Sequence, residues 1–181
     1  MERVTGVDLL EWLVEESAVT NAPLFLLGAG PGVAARAAAK LAERYPGARV
    51  AGWWSEGTPE PVDDAASLEH IAASGARSVA VAYGAPGQVL WIARNQAALG
   101  ELGVRVAVGV GGALDFVAGV TPRAPKWMRA AGLEWLFRLL RQPWRWRRQL
   151  VLPVFALAVL REWLARLWRR GNRPGKYARP K

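Results

Sequence analysis

Residues 24–35 run as an apolar tetrad, then Gly28-Ala29-Gly30-Pro31-Gly32, then the start of an alanine-rich stretch ending at Ala35. A strand feeding a glycine turn and a helix can hold a phosphate, because glycine admits the left-handed backbone and the helix start presents free N–H groups. The spacing is close to a dinucleotide fingerprint. Such a site also wants an acidic residue at the end of the second strand, to hold ribose hydroxyls. Here that strand ends Val50-Ala51-Gly52-Trp53-Trp54, and the first acid is Glu56, beyond both tryptophans and a serine. Pro31 removes a further N–H. NAD or FAD binding is therefore disfavoured. Other chemistries are narrowed by composition: there is no cysteine, and His70 is the one histidine. Thiolate metal sites and a cysteine nucleophile are excluded, and a histidine cluster or a Ser/His/Asp triad has almost nothing to build on. Asp63-Asp64, in a stretch rich in proline and glycine that reads as a mobile loop, is a poor Mg²⁺ site by itself. No metal is expected.

The elements that must position these residues follow from the pattern of apolar runs. Leu24–Leu27, Arg49–Trp54, Ser78–Tyr83 and Val104–Val108 read as strands. Helices are predicted over Val7–Glu16, Pro31–Arg44, the region of Ser67–Ser74 and Gln88–Leu99. Apolar strands alternating with helices imply right-handed crossovers and a mainly parallel sheet. The expected fold is α/β: a Rossmann-like sheet with flanking helices over residues 1–121, followed by a basic helical appendage over residues 122–181. Each strand runs into glycine at its carboxyl end, in "LLGAGPG", "VAGWW", "AYGAPG" and "AVGVGG". Ligands of open parallel sheets bind outside those ends. One such turn is ordinary loop chemistry; four of them favour a ligand.

Charge divides the chain sharply. Residues 1–121 hold 8 Lys/Arg and 13 Asp/Glu, whereas residues 122–181 hold 16 and 2. A basic tail of that density implies a polyanionic partner. Six of the ten tryptophans lie there, interleaved with arginine. Leu150–Leu160 is apolar over 11 residues, short of the roughly 20 that span a bilayer. Leu160, Trp163, Leu164, Leu167 and Trp168 fall on one helical face, with Arg166, Arg169 and Arg170 away from its middle. That is the make-up of a helix lying in a membrane interface. Nucleic acid is the competing polyanion, but a wide Leu/Trp face serves a phosphate backbone poorly, and an anionic membrane surface is preferred. The N-terminal stretch is acidic and amphipathic rather than a secretory leader. The expectation is a cytoplasmic protein, peripheral on the inner face of the plasma membrane.

The segment "GVGGALDFVAGVTPRAPKWMRAAGLEWLFRLLRQPWRWRR" resembles the WecG/TagA/CpsF family of bacterial glycosyltransferases. The shared features are Asp115-Phe116, Ala118-Gly119, the Arg123-Ala124-Pro125-Lys126-Trp127 box, Gly132-Leu133-Glu134-Trp135 and Arg138-Leu139. The likeness extends upstream through "YGAPGQVLWIARN" and "FLLGAGPGVAARAAAKL" to "ERVTGVDLL". The resemblance implies transfer of N-acetylmannosamine, or a related hexosyl unit, from a UDP-sugar to an undecaprenyl-pyrophosphate-linked acceptor. Members serve teichoic acid, enterobacterial common antigen or capsule synthesis. No cofactor is implied.

Site residues implied by the resemblance are Gln88 as a substrate contact, Asp115 as a partner of the nucleotide ribose and Arg3 near the donor pocket. The strand-end glycines Gly28, Gly30, Gly84 and Gly111 join them as candidate substrate-binding positions. In the appendage, Arg123, Arg138, Arg145, Arg147, Arg148, Trp163, Arg166 and Arg169 would face the membrane and the acceptor pyrophosphate. Gly87 and Val89 replace the family's lysine and glutamate around Gln88. The family's segment carrying its proposed general-base aspartate has no counterpart ahead of Met1-Glu2-Arg3, and neither Asp63 nor Asp64 matches it. A catalytically inactive, membrane-docked relative that binds nucleotide sugar is the alternative.

Overall fold

The computed structural model describes residues 4–122 together with Pro125, Met128, Leu136, Phe137, Leu140, Val159 and residues 161–163. The chain divides into two compact units, Met1–Arg123 and Ala124–Lys181. In the first, α1 (Gly6–Thr20) precedes β1 (Leu24–Gly28), α2 (Val33–Arg44) and β2 (Val50–Trp54). A short 3₁₀ turn, Pro61–Asp63, leads into α3 (Asp64–Ser74), β3 (Ser78–Ala82), α4 (Gly87–Glu101), β4 (Val106–Gly109) and α5 (Ala113–Val117).

The four strands form one sheet in the order β2-β1-β3-β4, every pair parallel. The predicted α/β, Rossmann-like architecture is what the chain forms. Alternate residues of the strands feed two cores. Leu24, Leu26, Ala80 and Ala82 pack with Leu10 and Leu13 of α1, Ala34, Ala37 and Leu41 of α2, and Leu114 of α5. Phe25, Leu27, Val79 and Val81 pack with Ile71 of α3 and with Trp91 and Leu99 of α4. Strands buried on both faces are why the sequence shows continuous apolar runs rather than alternation.

The helices on the two faces follow from handedness. The chain leaves β1 for β2 on one side, then crosses back over β1 to β3, so right-handed crossovers place α2 and α3 on opposite faces. Small residues make the layers fit. Gly52 of β2 lies against the Phe25 ring, which a β-carbon would approach to 3.0 Å. The alanine-rich face of α2 lets that helix settle close to the sheet. Helix α1 starts at a reciprocal cap: the Thr5 hydroxyl accepts from the Asp8 N–H, and Asp8 accepts from the Thr5 N–H at 2.9 Å.

Boundaries differ from the expected ones for local reasons. Helix α2 starts at Val33 rather than Pro31 because Gly32 takes a φ of +69° ahead of it. Helix α1 runs on to Thr20 and stops where Asn21 turns left-handed at φ +57°. Strand β4 starts two residues later than predicted, because Val104 still turns back on Leu99.

In the second unit, Met128 is buried and Leu140 and Val159 are exposed. Trp163 is helical, with 56% of its surface exposed. The other appendage residues singled out above, Arg123, Arg138, Arg145, Arg147, Arg148, Arg166 and Arg169, lie outside the described residues, as does Arg3. No helix among the described residues is long and apolar enough to cross a membrane.

Candidate functional site

The carboxyl ends of the strands bring the glycine turns to one edge of the sheet. Strands β1 and β3 are neighbours, with Gly28 opposite Ala82. The chain moves away from that junction in both directions, so the crevice lies at the topological switch point. Gly28 and Ala29 are both left-handed, at φ +89° and +68°. The Ala29 N–H donates to the Ala82 carbonyl at 3.3 Å, which ties the first turn to the end of β3. Alanine rarely adopts that conformation, so Ala29 is held there by the turn around it. No side chain caps α2; its first turn opens directly from Gly32. The Val33 N–H is taken by the Gly30 carbonyl at 3.0 Å, and the N–H groups that follow it carry the positive end of the helix dipole toward the edge where the turns meet.

The turns after β3 and β4 are joined as well. Gly84 is left-handed at φ +78° and its carbonyl accepts from the Gln88 N–H at 2.9 Å. The Gln88 side chain then reaches across: its Oε1 accepts from the Gly111 N–H at 2.9 Å. Gly111 is itself left-handed, at φ +57°. Five of the candidate residues, Gly28, Gly30, Gly84, Gln88 and Gly111, thus share one edge, and three of them, Gly84, Gln88 and Gly111, are joined by hydrogen bonds. Asp115 lies in the first turn of α5, half-buried, a single helical turn beyond that junction. Helix α1 also begins here, since a β-carbon on Gly6 would come within 2.5 Å of the Val110 carbonyl oxygen.

Three residues at this edge have no signal in the sequence pattern. Tyr83 covers Gly28, whose β-carbon would stand 2.8 Å from the ring, and meets Trp91 edge-on at 6.3 Å. Its hydroxyl is buried without a hydrogen-bond partner among the described residues, and burial, with Asp63 and Asp64 nearby, pushes its pKa well above the usual tyrosine value. Ala29 looks like any helix-forming residue until its φ is seen. Arg94, on α4, is the third. It donates to both Asp64 oxygens, at 2.5 and 2.8 Å, and to the Pro59 carbonyl at 2.7 Å.

Arg94 corrects one expectation. Asp63 and Asp64 are not in a mobile loop. Asp64 opens α3, and its hydrogen bond to Arg94 holds its carboxyl below the usual range against the opposing effect of burial. Asp63 accepts from the Thr58 hydroxyl and N–H, which hold it low in turn. Pro59 packs on Gly87 so closely that a β-carbon there would lie 2.9 Å from it. Glu56 accepts from the Ser55 N–H at 3.0 Å and so folds back on its own loop. Trp54 is stacked on His70, with ring centroids 5.3 Å apart.

Two cavities lie away from this edge. One of about 500 Å³ is lined by Lys40, Glu43, Arg44 and Phe116, between α2 and α5. The other, of about 600 Å³, runs along α4 and β4 past Ile92, Leu99 and Ala107. Neither includes a strand-end glycine turn.

Over residues 1–169 the chain matches the glycosyl transferase WecG/TagA/CpsF family. It is 34% identical over 160 residues to the N-acetylglucosaminyldiphosphoundecaprenol N-acetyl-beta-D-mannosaminyltransferase of Bacillus subtilis (strain 168). That match takes in 88% of this chain and 60% of the relative's length.

Proposed function

Because the chain belongs to the WecG/TagA/CpsF family of glycosyl transferases, we propose that it transfers an N-acetylhexosamine, by likeness N-acetylmannosamine, from a UDP-sugar to a polyprenyl-diphosphate-linked acceptor. The observation that supports this reading most is the set of left-handed turns brought together at the carboxyl ends of β1 and β3. Two left-handed residues there, followed by the uncapped start of α2, form a seat for an anion. The diphosphate of a nucleotide sugar has the charge and the oxygens to take it. The crevice lacks a carboxylate at the end of β2, which agrees with a donor other than a dinucleotide.

The chemistry required is displacement at the anomeric carbon, with a group that accepts the proton of the attacking hydroxyl. No metal enters this reading: donors on the backbone and the helix start would neutralise the leaving diphosphate. In this reading Asp115, in the first turn of α5, is a partner of the nucleotide ribose. Asp63 and Asp64 are committed to Thr58 and Arg94, so neither serves as the base. A second reading is that this chain binds UDP-sugar at the membrane without turning it over. The arginine- and tryptophan-rich appendage would, in either case, hold the protein on an anionic inner-leaflet surface where the acceptor resides.

The deciding experiment is release of UDP from UDP-N-acetylmannosamine, with a short polyprenyl-diphosphoryl-N-acetylglucosamine acceptor in detergent. Acceptor-dependent release is the expected outcome. UDP-sugar binding with no release, in conditions where the Bacillus relative turns over, would leave the binding reading standing in its place.

A further inference from the structure

We infer that Gln88 is a positioning residue that acts through the Gly111 backbone, in place of the direct substrate contact the resemblance implies. Gln88 is the second residue of α4, and its own N–H is already bonded to Gly84. Its side chain passes over the end of β4, where Gly109 makes room for it. A β-carbon on Gly109 would stand 2.5 Å from the amide nitrogen and 2.7 Å from Cδ. Beyond Gly109 the amide oxygen meets the Gly111 N–H at 2.9 Å. A backbone N–H can only donate, so the oxygen must be the atom facing it, and the orientation of the amide follows from its partner. Gly111 is left-handed and Gly109 lacks a side chain, so the turn has little steric reason of its own to keep its shape. The Gln88–Gly111 bond supplies that reason. It also fixes the β4–α5 turn, and with it Asp115, relative to the β3–α4 turn.

The consequence for catalysis rests on the proposed reading of the crevice; the bond itself does not. Three proteins separate the two: wild type, Gln88→Ala and Gln88→Glu. A glutamate has the same reach, and its ionised carboxylate accepts from a backbone N–H at least as well as an amide does. The first readout is hydrogen exchange at the Gly111 amide, followed by NMR. Gln88→Ala should speed it by about tenfold, in line with loss of one hydrogen bond, and Gln88→Glu should restore protection. The second readout is donor kinetics. With Gln88→Ala, kcat should fall by about tenfold while KM for the UDP-sugar changes less, and Gln88→Glu should recover most of the loss. A Gly109→Ala substitution should mimic Gln88→Ala, and combining the two should add little, because the added methyl occupies space the glutamine has vacated. Unchanged Gly111 exchange in Gln88→Ala overturns the inference. So does equal loss of kcat in the alanine and glutamate variants when the glutamate still protects Gly111, since that pattern belongs to a residue touching substrate. If the wild type shows no turnover, the proposed function fails while Gly111 exchange still decides the positioning role.

Discussion

Gly28 shows how tightly single residues are specified at the strand ends. Its φ of +89° is costly for any side chain, and the Tyr83 ring stands 2.8 Å from where a β-carbon would sit. Gly28→Ala should therefore cost about 1–2 kcal/mol from the backbone alone, and more once Tyr83 is displaced. The check is urea denaturation, with the midpoint lowered and the slope unchanged. Asp64 makes a different kind of prediction. Its carboxyl titrates lower in the folded chain than in the unfolded one because Arg94 bonds its charged form. A depressed pKa contributes stability that is complete above the unfolded value, about 4, and fades as pH falls through the folded value. The melting temperature of Asp64→Asn should lie below wild type at pH 7 and converge on it as the pH drops below about 4. A gap that persists unchanged well below about pH 4 would mean that the ion pair is not what Asp64 contributes.

At the scale of elements, much was legible because burial on both sheet faces writes itself as apolar runs. The four strands, their order of alternation with helices and the glycines at their ends follow from pattern alone. The misreadings have two causes: local composition does not report distant partners, and short or terminal stretches are set by single backbone positions. Asp63 and Asp64 sit in a stretch that looks unstructured, and Arg94, 30 residues on, fixes Asp64. Helix α5 is five residues long, too short to show a helical period. Tyr83 and Gly28 are far apart in sequence and meet through the β1–β3 pairing. The start of α1 tests how far one element leans on another. Thr5→Ala removes the cap at a cost of about 1 kcal/mol and should leave the sheet intact. Gly6→Ala is the milder change on paper, yet its methyl would come within 2.5 Å of the Val110 carbonyl. Since neither partner is a flexible side-chain end, the backbone has to shift. Gly6→Ala should thus destabilise more than Thr5→Ala and loosen the β4–α5 turn, seen as faster amide exchange at Val110 and Gly111. The reverse ranking would mean that α1 packs there with slack.

Across the whole sequence, charge is distributed unevenly, and the membrane docking proposed above would rest on the last third of the chain. The 122–181 stretch carries 16 Lys/Arg against 2 Asp/Glu, and residues 1–121 are net acidic. Electrostatic attraction to anionic lipid is worth about 1 kcal/mol for each basic residue near the surface, so a handful of engaged arginines suffices for binding at low salt. That attraction is screened as ionic strength rises, the Debye length falling from about 10 Å at 0.1 M to about 3 Å at 1 M. Burial of tryptophan and leucine at headgroup depth is not screened in this way. The two contributions can therefore be separated in one titration. Co-sedimentation with vesicles rich in phosphatidylglycerol should be strong at low salt, fall steeply as NaCl is added, and level off at a residual that reflects the apolar face. Phosphatidylcholine vesicles should show only that residual. Nucleic acid makes the opposite claim on the same arginines: binding to DNA with a steep salt slope and indifference to vesicles. If that second pattern is found, the appendage does not dock the protein on lipid, and the acceptor must reach the crevice by a route other than a shared membrane surface.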